Sequence, residues 1–231
     1  MLAGARGVCF GESKASLTHF WDFTTGSLND RVGASNATRN GTAAFVSGGL
    51  RCYGGSSNAA SYVNLSPSGA NILPAGDFAV AVACRVMGSS NWQRMFDFGT
   101  GTAAYLMMAQ RTTYSNHMRW EIRAANRAYT RDVDYAISSG VDRLYAAVVY
   151  RNNGALKVQY SSFNSSGTLL KQADTDVTGT SAIPSYTNFW LGRSQFSADY
   201  AANTLFKKCG IYSGKLTRTD LANECRSVFF R

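Results

Sequence analysis

The stretch Gly76-Asp77-Phe78-Ala79-Val80-Ala81-Val82-Ala83-Cys84-Arg85-Val86, running on to Trp92-Gln93-Arg94-Met95-Phe96-Asp97-Phe98-Gly99, decides the fold. Bulky Phe78, Val80, Val82, Cys84 and Val86 alternate with Ala79, Ala81 and Ala83. A side-chain period of two marks a strand. The alanine side lets another layer approach closely. Far along the chain, residues 188–192 (Asn-Phe-Trp-Leu-Gly) and 206–216 repeat the strand pattern. The two regions read as paired ends of one β-sandwich.

Composition agrees. The 231 residues suit one large all-β domain. Apolar residues make up 45% and charged residues only 16%, enough for a sizeable core. Twenty-two Gly, three Pro and 25 Phe plus Tyr favour strands joined by Gly-rich turns. No apolar run approaches the roughly 20 residues of a membrane span. The amino end lacks the apolar core of a secretory signal, so folding in a reducing compartment is expected. Cys9, Cys52, Cys84, Cys209 and Cys225 are an odd set at irregular spacing, read as buried thiols rather than a disulfide framework. The net charge is +9, and 17 of the 23 cations are arginine. Arginine suits bidentate contact with carboxylates and phosphates, so an acidic partner is expected.

Residues 1–16 are small and polar and read as an arm, 17–226 as the sandwich domain, and 227–231 (Ser-Val-Phe-Phe-Arg) as an apolar tail. The tail either packs on the sandwich or docks into a neighbouring chain. Met118, Trp120, Ile122 and Ala124 alternate with His117, Arg119, Glu121 and Arg123, which predicts a half-buried strand with an arginine-rich outer side. Leu156, Val158 and Tyr160 alternate in the same way. Asn152-Asn153-Gly154 before them predicts a hairpin turn, because Asn and Gly tolerate positive φ. One helix is expected near the end, where Thr217-Arg-Thr-Asp220 resembles a capping box and Leu221 and Cys225 share a face.

These segments together resemble a laminin-G-like jelly roll of the concanavalin A-like lectin/glucanase superfamily. The resemblance rests on 19–23 (His-Phe-Trp-Asp-Phe), the D-x-x-G turn Asp30-Arg31-Val32-Gly33, the strand at 76–86, the hairpin strand at 92–99, and the closing segment from Gly210-Ile211-Tyr212 through Leu216. It covers about residues 17–225. It implies an all-β, two-sheet antiparallel sandwich of concanavalin A-like type with a short C-terminal helix. Cys84 stands where that family usually has Trp. Lys207 and Lys208 stand where acids are frequent, which counts against an inherited cation site.

Chemistry is sparse. Glycosidases need two carboxylates about 5–10 Å apart across the scissile bond. The three glutamates, Glu12, Glu121 and Glu224, form no such motif. Asp132 and Asp134 share a strand side and read as a solvated pair with Arg131 nearby. His19 reads as a hydrogen-bonded core residue and His117 as an exposed one. No Cys/His cluster has metal spacing. Asp22, Asn29, Asp30 and Asp97 carry oxygen atoms suited to Ca²⁺ but read first as caps and turns. No catalytic residue, resident metal or cofactor is expected. The segments 99–104 (Gly-Thr-Gly-Thr-Ala-Ala) and 210–215 (Gly-Ile-Tyr-Ser-Gly-Lys) imitate nucleotide loops, but the first follows a strand and leads into another instead of a helix, and the second is one residue short with Leu216 in place of the Ser/Thr. Four Asn-x-Ser/Thr sites, at Asn36, Asn40, Asn64 and Asn164, read as turns. Residues 111–151 hold seven arginines interleaved with aromatics. From these, Tyr114, Arg119, Arg123, Arg127, Tyr129 and Arg131 are the expected ligand-binding set for an acidic partner or a glycan.

The expectation is a non-catalytic structural or adhesion module. Its first form is a bacteriophage virion component, a capsid decoration or tail-associated protein that binds neighbouring subunits. The alternative is a lectin-like carbohydrate-binding module, and a glycoside hydrolase is more remote. Nucleic acid is not an expected partner.

Overall fold

The structure is a computed structural model and describes residues 15–231 apart from 89, 113–116, 125, 135–136, 181 and 184. Fifteen strands follow in chain order: β1 (Ser16–Asp22), β2 (Thr38–Gly41), β3 (Ala44–Val46), β4 (Gly49–Gly55), β5 (Ser61–Asn64), β6 (Phe78–Val86), β7 (Arg94–Gly99), β8 (Tyr105–Ala109), β9 (His117–Ala124), β10 (Arg127–Asp134), β11 (Asp142–Asn152), β12 (Ala155–Asn164), β13 (Leu169–Val177), β14 (Asn188–Leu191) and β15 (Ala201–Ser213). A short helix, α1 (Arg218–Glu224), comes after them. An eight-stranded antiparallel sheet has the order β13-β12-β11-β6-β15-β4-β3, with β1 also paired to β15. A seven-stranded sheet has the order β10-β9-β8-β7-β14-β5-β2. The paired stretches that decided the fold are neighbours: β6 lies beside β15, and β7 beside β14.

The apolar alternation sorts the side chains. Phe78, Val80, Val82, Cys84 and Val86 turn inward against Phe96, Phe98, Leu106, Met108, Met118, Trp120 and Ile122 of the other sheet. Trp120 stacks on Tyr160 with centroids 5.3 Å apart. Cys52, Cys84, Cys209 and Cys225 are free and buried. Burial pushes the Cys52 thiol up to about 12 and that of Cys225 up to about 11. Cys9 lies outside the described residues. No helix among them is long and apolar enough to cross a membrane.

Turn chemistry fixes the register. Asn152 faces Ala155, and between them Asn153 and Gly154 both take positive φ (51° and 77°). That is the two-residue turn whose twist matches a hairpin. The Gly99–Ala104 pattern is another hairpin, closed by Thr100 N–H to the Ala104 carbonyl at 2.9 Å. In the D-x-x-G turn, the Asp30 carboxylate accepts from the backbone N–H of Phe20, Val32, Gly33 and Ser35 and contacts His19 Nδ1 at 2.5 Å. A Cβ at Gly33 would stand 2.4 Å from His19 Nδ1 and 2.6 Å from Asp30 Oδ2, so only glycine fits. Burial raises the Asp30 carboxyl, but these donors outweigh it and hold it below the usual carboxylate range.

The outer side of the eight-stranded sheet is covered. Ala79, Ala81, Ala83, Leu144, Ala146 and Val148 form a low floor under Leu216, Leu221, Cys225 and Phe229. Thr217 and Asp220 make the capping box. After α1 the chain continues as one wider turn, Cys225–Phe229. Lys208 Nζ donates to the carbonyls of Val228 (2.7 Å) and Arg231 (3.4 Å). Residues 227–231 therefore lie on the chain's own sandwich. Lys207 reaches Asp142 at 2.6 Å, so both lysines at the expected acidic positions hold structure together.

Candidate functional site

Among the described residues no helix lies on the seven-stranded sheet; Trp92 and Phe196 pack on its outer side instead. Its outer side is read from the register. Thr130 faces Glu121, Glu121 faces Met107, Met107 faces Asp97, and Asp97 faces Trp190. Directly opposed residues point to the same side of a sheet. This row therefore crosses five strands on one surface. The adjoining pairs Arg119–Asp132 and Arg123–Tyr105 flank it.

Trp92, Arg94, Tyr105, Met107, Arg119, Glu121, Phe196 and Asp199 line a cleft of about 240 Å³ on this surface. The walls are aromatic. Tyr105 meets Phe196 edge-to-face with centroids 5.6 Å apart. Trp92 holds a left-handed φ of 60°. For a bulky residue that is a genuine outlier, and such strain persists where the surroundings over-determine it. The guanidinium of Arg119 lies 5.0 Å above its ring, and that of Arg94 lies 5.8 Å from it.

The polar groups are tied to one another. Arg94, only 2% exposed, bonds Asp199 at 2.7 Å, Asp97 at 3.2 Å and the Trp92 carbonyl at 3.0 Å. Asp97 also accepts from the Gln195 N–H at 3.0 Å, while its Oδ1 is buried without a partner. Burial pushes the Asp97 carboxyl up to about 6, against the pull of Arg94. Glu121 accepts the hydroxyls of Tyr105 and Thr130, the latter at 2.5 Å. Burial, reinforced by Glu121, raises the Tyr105 hydroxyl well above its ordinary value, so Tyr105 stays a neutral donor. Arg119 grips Asp132 through two bonds of 2.6 and 2.7 Å. Residues 192–200 form the far wall, fixed by Asn58 to the Ser194 and Phe196 carbonyls and by Gln195 to Gly101 and Asn188.

The sequence-expected set is divided. Arg119 and Arg123 stand on this surface. Arg127, Tyr129 and Arg131 point the other way on β10, since they oppose Ala124, Ile122 and Trp120. Tyr129 donates to the Thr178 carbonyl, and Arg131 Nε to the Asp174 carbonyl at 3.1 Å, so both bridge to the edge of the other sheet. Arg127 lies over the Tyr129 ring. Tyr114 lies outside the described residues. Asp132 and Asp134 do share a side, but the partner of Asp132 is Arg119 rather than Arg131. Asp22 caps a 3₁₀ turn, Asp30 holds its own turn, and Asp97 belongs to the opposite sheet. Among the described residues no group of three or more His, Cys, Asp or Glu is placed to hold a metal ion.

The cleft residues Trp92, Arg94, Tyr105, Phe196 and Asp199 come from segments that sequence reasoning treated as plain strand and loop. One signal was there: Arg94 and Asp97 are charges within an otherwise apolar strand.

Comparison with known proteins finds no matching family model and no curated protein of similar sequence. Solved structures do match. Domain 4 of AbnA, a GH43 extracellular arabinanase from Geobacillus stearothermophilus, solved with arabinotriose, aligns over 93% of this chain and 100% of its own, with TM-score 0.65 and 16% identity. The CBM40 of Ruminococcus gnavus IT-sialidase, bound to α2,3 sialyllactose, aligns over 76% of this chain and 95% of its own, with TM-score 0.55 and 18% identity. The botulinum neurotoxin serotype D binding domain aligns over 91% of this chain and 50% of its own, with TM-score 0.60 and 13% identity. The likeness is one of fold. What is shared is a sandwich of two antiparallel sheets, and a laminin-G domain is not among these matches.

Proposed function

We propose that this chain is a non-catalytic carbohydrate-binding module whose sugar site is the Trp92–Tyr105–Phe196 cleft. The observation that carries this reading is a cleft with aromatic walls and fixed polar groups on the outer side of the seven-stranded sheet. Apolar ring faces of sugars stack on aromatic side chains, while hydroxyls need donors and acceptors already in place. Glu121 and Asp199 serve as acceptors and Arg119 as a donor, while Tyr105, its proton given to Glu121, offers its ring. Each cation of the cleft is already paired with a carboxylate. That balance favours a neutral sugar here. It also argues against hydrolysis, since the cleft carboxylates are engaged by Tyr105, Thr130, Arg94 and Ser194 as fixed acceptors. The carbohydrate-binding character of two structural neighbours supports the same reading.

The virion-component reading, with its subunit partners, rests on the sequence alone, and none of these neighbours speaks for it. Laminin-G kinship likewise stands on its turn and closing-strand motifs. The test is a glycan array followed by calorimetric titration of the hits, with arabinotriose as the first neutral probe. Trp92→Ala and Glu121→Gln are each expected to weaken binding by about 10–100-fold, the loss of one stacking or charge-assisted contact of about 1.4–2.8 kcal/mol. Unchanged affinity in both variants, or no glycan bound at all, would reject the proposal.

A further inference from the structure

The other half of the same outer surface has a different chemistry. Strands β14, β5 and β2 (Asn-Phe-Trp-Leu, Ser-Tyr-Val-Asn and Thr-Arg-Asn-Gly) contain no Asp or Glu. Trp190 faces Asn64, and Tyr62 lies two residues before Asn64, so Trp190 and Tyr62 rise on the side that carries the cleft. Their rings are 6.1 Å apart and nearly perpendicular. Arg193, just past β14, lays its guanidinium 4.0 Å from the Trp190 ring and 4.6 Å from that of Tyr62. Gly192, with φ +83°, makes the bend that brings it there.

Arg94 and Arg119 each hold a carboxylate. Among the described residues Arg193 pairs with none, and its Nε is buried without a hydrogen-bond partner. The aromatic pair fixes the guanidinium plane and keeps it partly desolvated, while its charge stays uncompensated. A planar, weakly hydrated guanidinium held this way is suited to a bidentate oxyanion. We infer that the Tyr62–Trp190–Arg193 corner is a second subsite, which takes the anionic substituent of an acidic glycan, a carboxylate or sulfate ester, beside the neutral-sugar cleft. The wall at 192–200 stands between the two and belongs to both, since it supplies Arg193 to one and Phe196 and Asp199 to the other. The inference rests on the sugar-binding reading of this surface.

The test follows the Trp190 indole N–H resonance of the full chain during titration with glucuronic acid, glucose 6-sulfate, glucose and inorganic sulfate at constant ionic strength. Glucuronate or the sulfated sugar is expected to shift it saturably at concentrations about tenfold below those glucose requires, the ratio one charge-assisted contact supplies. Arg193→Gln is expected to abolish that difference while neutral-sugar binding at Trp92 persists. An equal response to glucose overturns the inference, as does an acidic-sugar preference that survives in R193Q. A response to free sulfate as strong as to either acidic sugar makes the corner an ion site only and overturns its glycan role. The wild-type resonance needs no variant to fold. Because Trp92 and Trp190 report separately, loss of the cleft reading and loss of this one are told apart.

Discussion

On the outer side of the eight-stranded sheet, Ala79, Ala81 and Ala83 lie flat beneath α1 and the turn that follows it. On the outer side of the seven-stranded sheet, the central rows carry Arg119, Glu121, Tyr105, Met107 and Asp97, and Trp92 and residues 192–200 wall them in and leave a cleft between. The two sheets share one core and differ in what they do with the surface left over. Small side chains permit a cover, and the cover converts that surface into a second apolar core. Charged and aromatic side chains need partners. Here they find them laterally, in ion pairs and hydroxyl bonds, so the surface remains open as a cleft. One face adds stability and the other presents fixed polar groups. The comparison breaks if a substitution on the covered face changes ligand binding, or if the open face proves indifferent to its buried charges.

The largest expected effect is at Arg94. Replacing it with Met leaves Asp97 and Asp199 without their shared cation inside the sheet surface. Removing one partner of a buried pair typically costs about 3–5 kcal/mol. Urea unfolding of R94M should show a loss of that order, and sugar affinity should fall with it because Asp199 and residues 192–200 lose an anchor. A loss below about 1 kcal/mol, the range of exposed pairs, would mean that the network is not structural.

The next effect concerns pH, and it carries opposite signs at two aspartates. Asp97 has its carboxyl raised from 3.8 to about 6, so the folded state binds its proton more tightly than the unfolded chain does. Its contribution to stability therefore improves as pH falls from 6 towards 3.8, by at most about 1.4 kcal/mol per pH unit. Asp30 is lowered, so its contribution is complete above the unfolded value of 3.8 and is lost as pH falls through the folded one. Unfolding midpoints of wild type and Asp97→Asn, compared from pH 7 to pH 4, should shift in favour of wild type on acidification. A difference that stays flat, or that moves towards D97N, would contradict the assignment.

Ala81→Leu probes the cover. Ala81 is fully buried beneath the C-terminal segment, so the larger side chain must push that layer away. Overpacking of this kind costs about 1–3 kcal/mol. Sugar titration should be unchanged, because the core separates the two outer faces. Altered affinity at unchanged stability would erase the division of labour.

The legible and the illegible parts of this molecule follow the same line. The alternation at 78–86 announced both the core strand and the alanine floor, because strand periodicity is local and sorts faces without knowledge of neighbours. The Asn153-Gly154 turn and the Thr217 cap were readable for the same reason. The cleft was not, because Trp92, Tyr105, Arg119 and Phe196 come from four separate segments and meet only through strand order and register. Reading β9 gave Arg119 and Arg123 their side. Choosing by the density of arginine and aromatics over 111–151, with no register for β10, took in Arg127, Tyr129 and Arg131, which belong to the opposite one. A one-residue difference in register turns every side chain over.

The smallest expected effect is at Thr217, and it tests how the cover is held. Its hydroxyl bonds Asp220 Oδ2 at 2.7 Å and accepts from the Asp220 N–H at 3.1 Å, while Asp220 accepts from the Thr217 N–H at 2.9 Å. The helix it starts has only seven residues, too few to be stable from backbone bonds alone. Packing must supply the rest, through Leu221, Cys225 and Phe229 on the alanine floor. Thr217→Ala should then cost about 1 kcal/mol, the ordinary loss of a cap, and leave the cover in place. Hydrogen exchange at 221–229 should quicken by no more than that loss implies. Collapse of protection across the whole segment would show that the cap nucleates the cover, and that the alanine floor alone is too shallow to hold it.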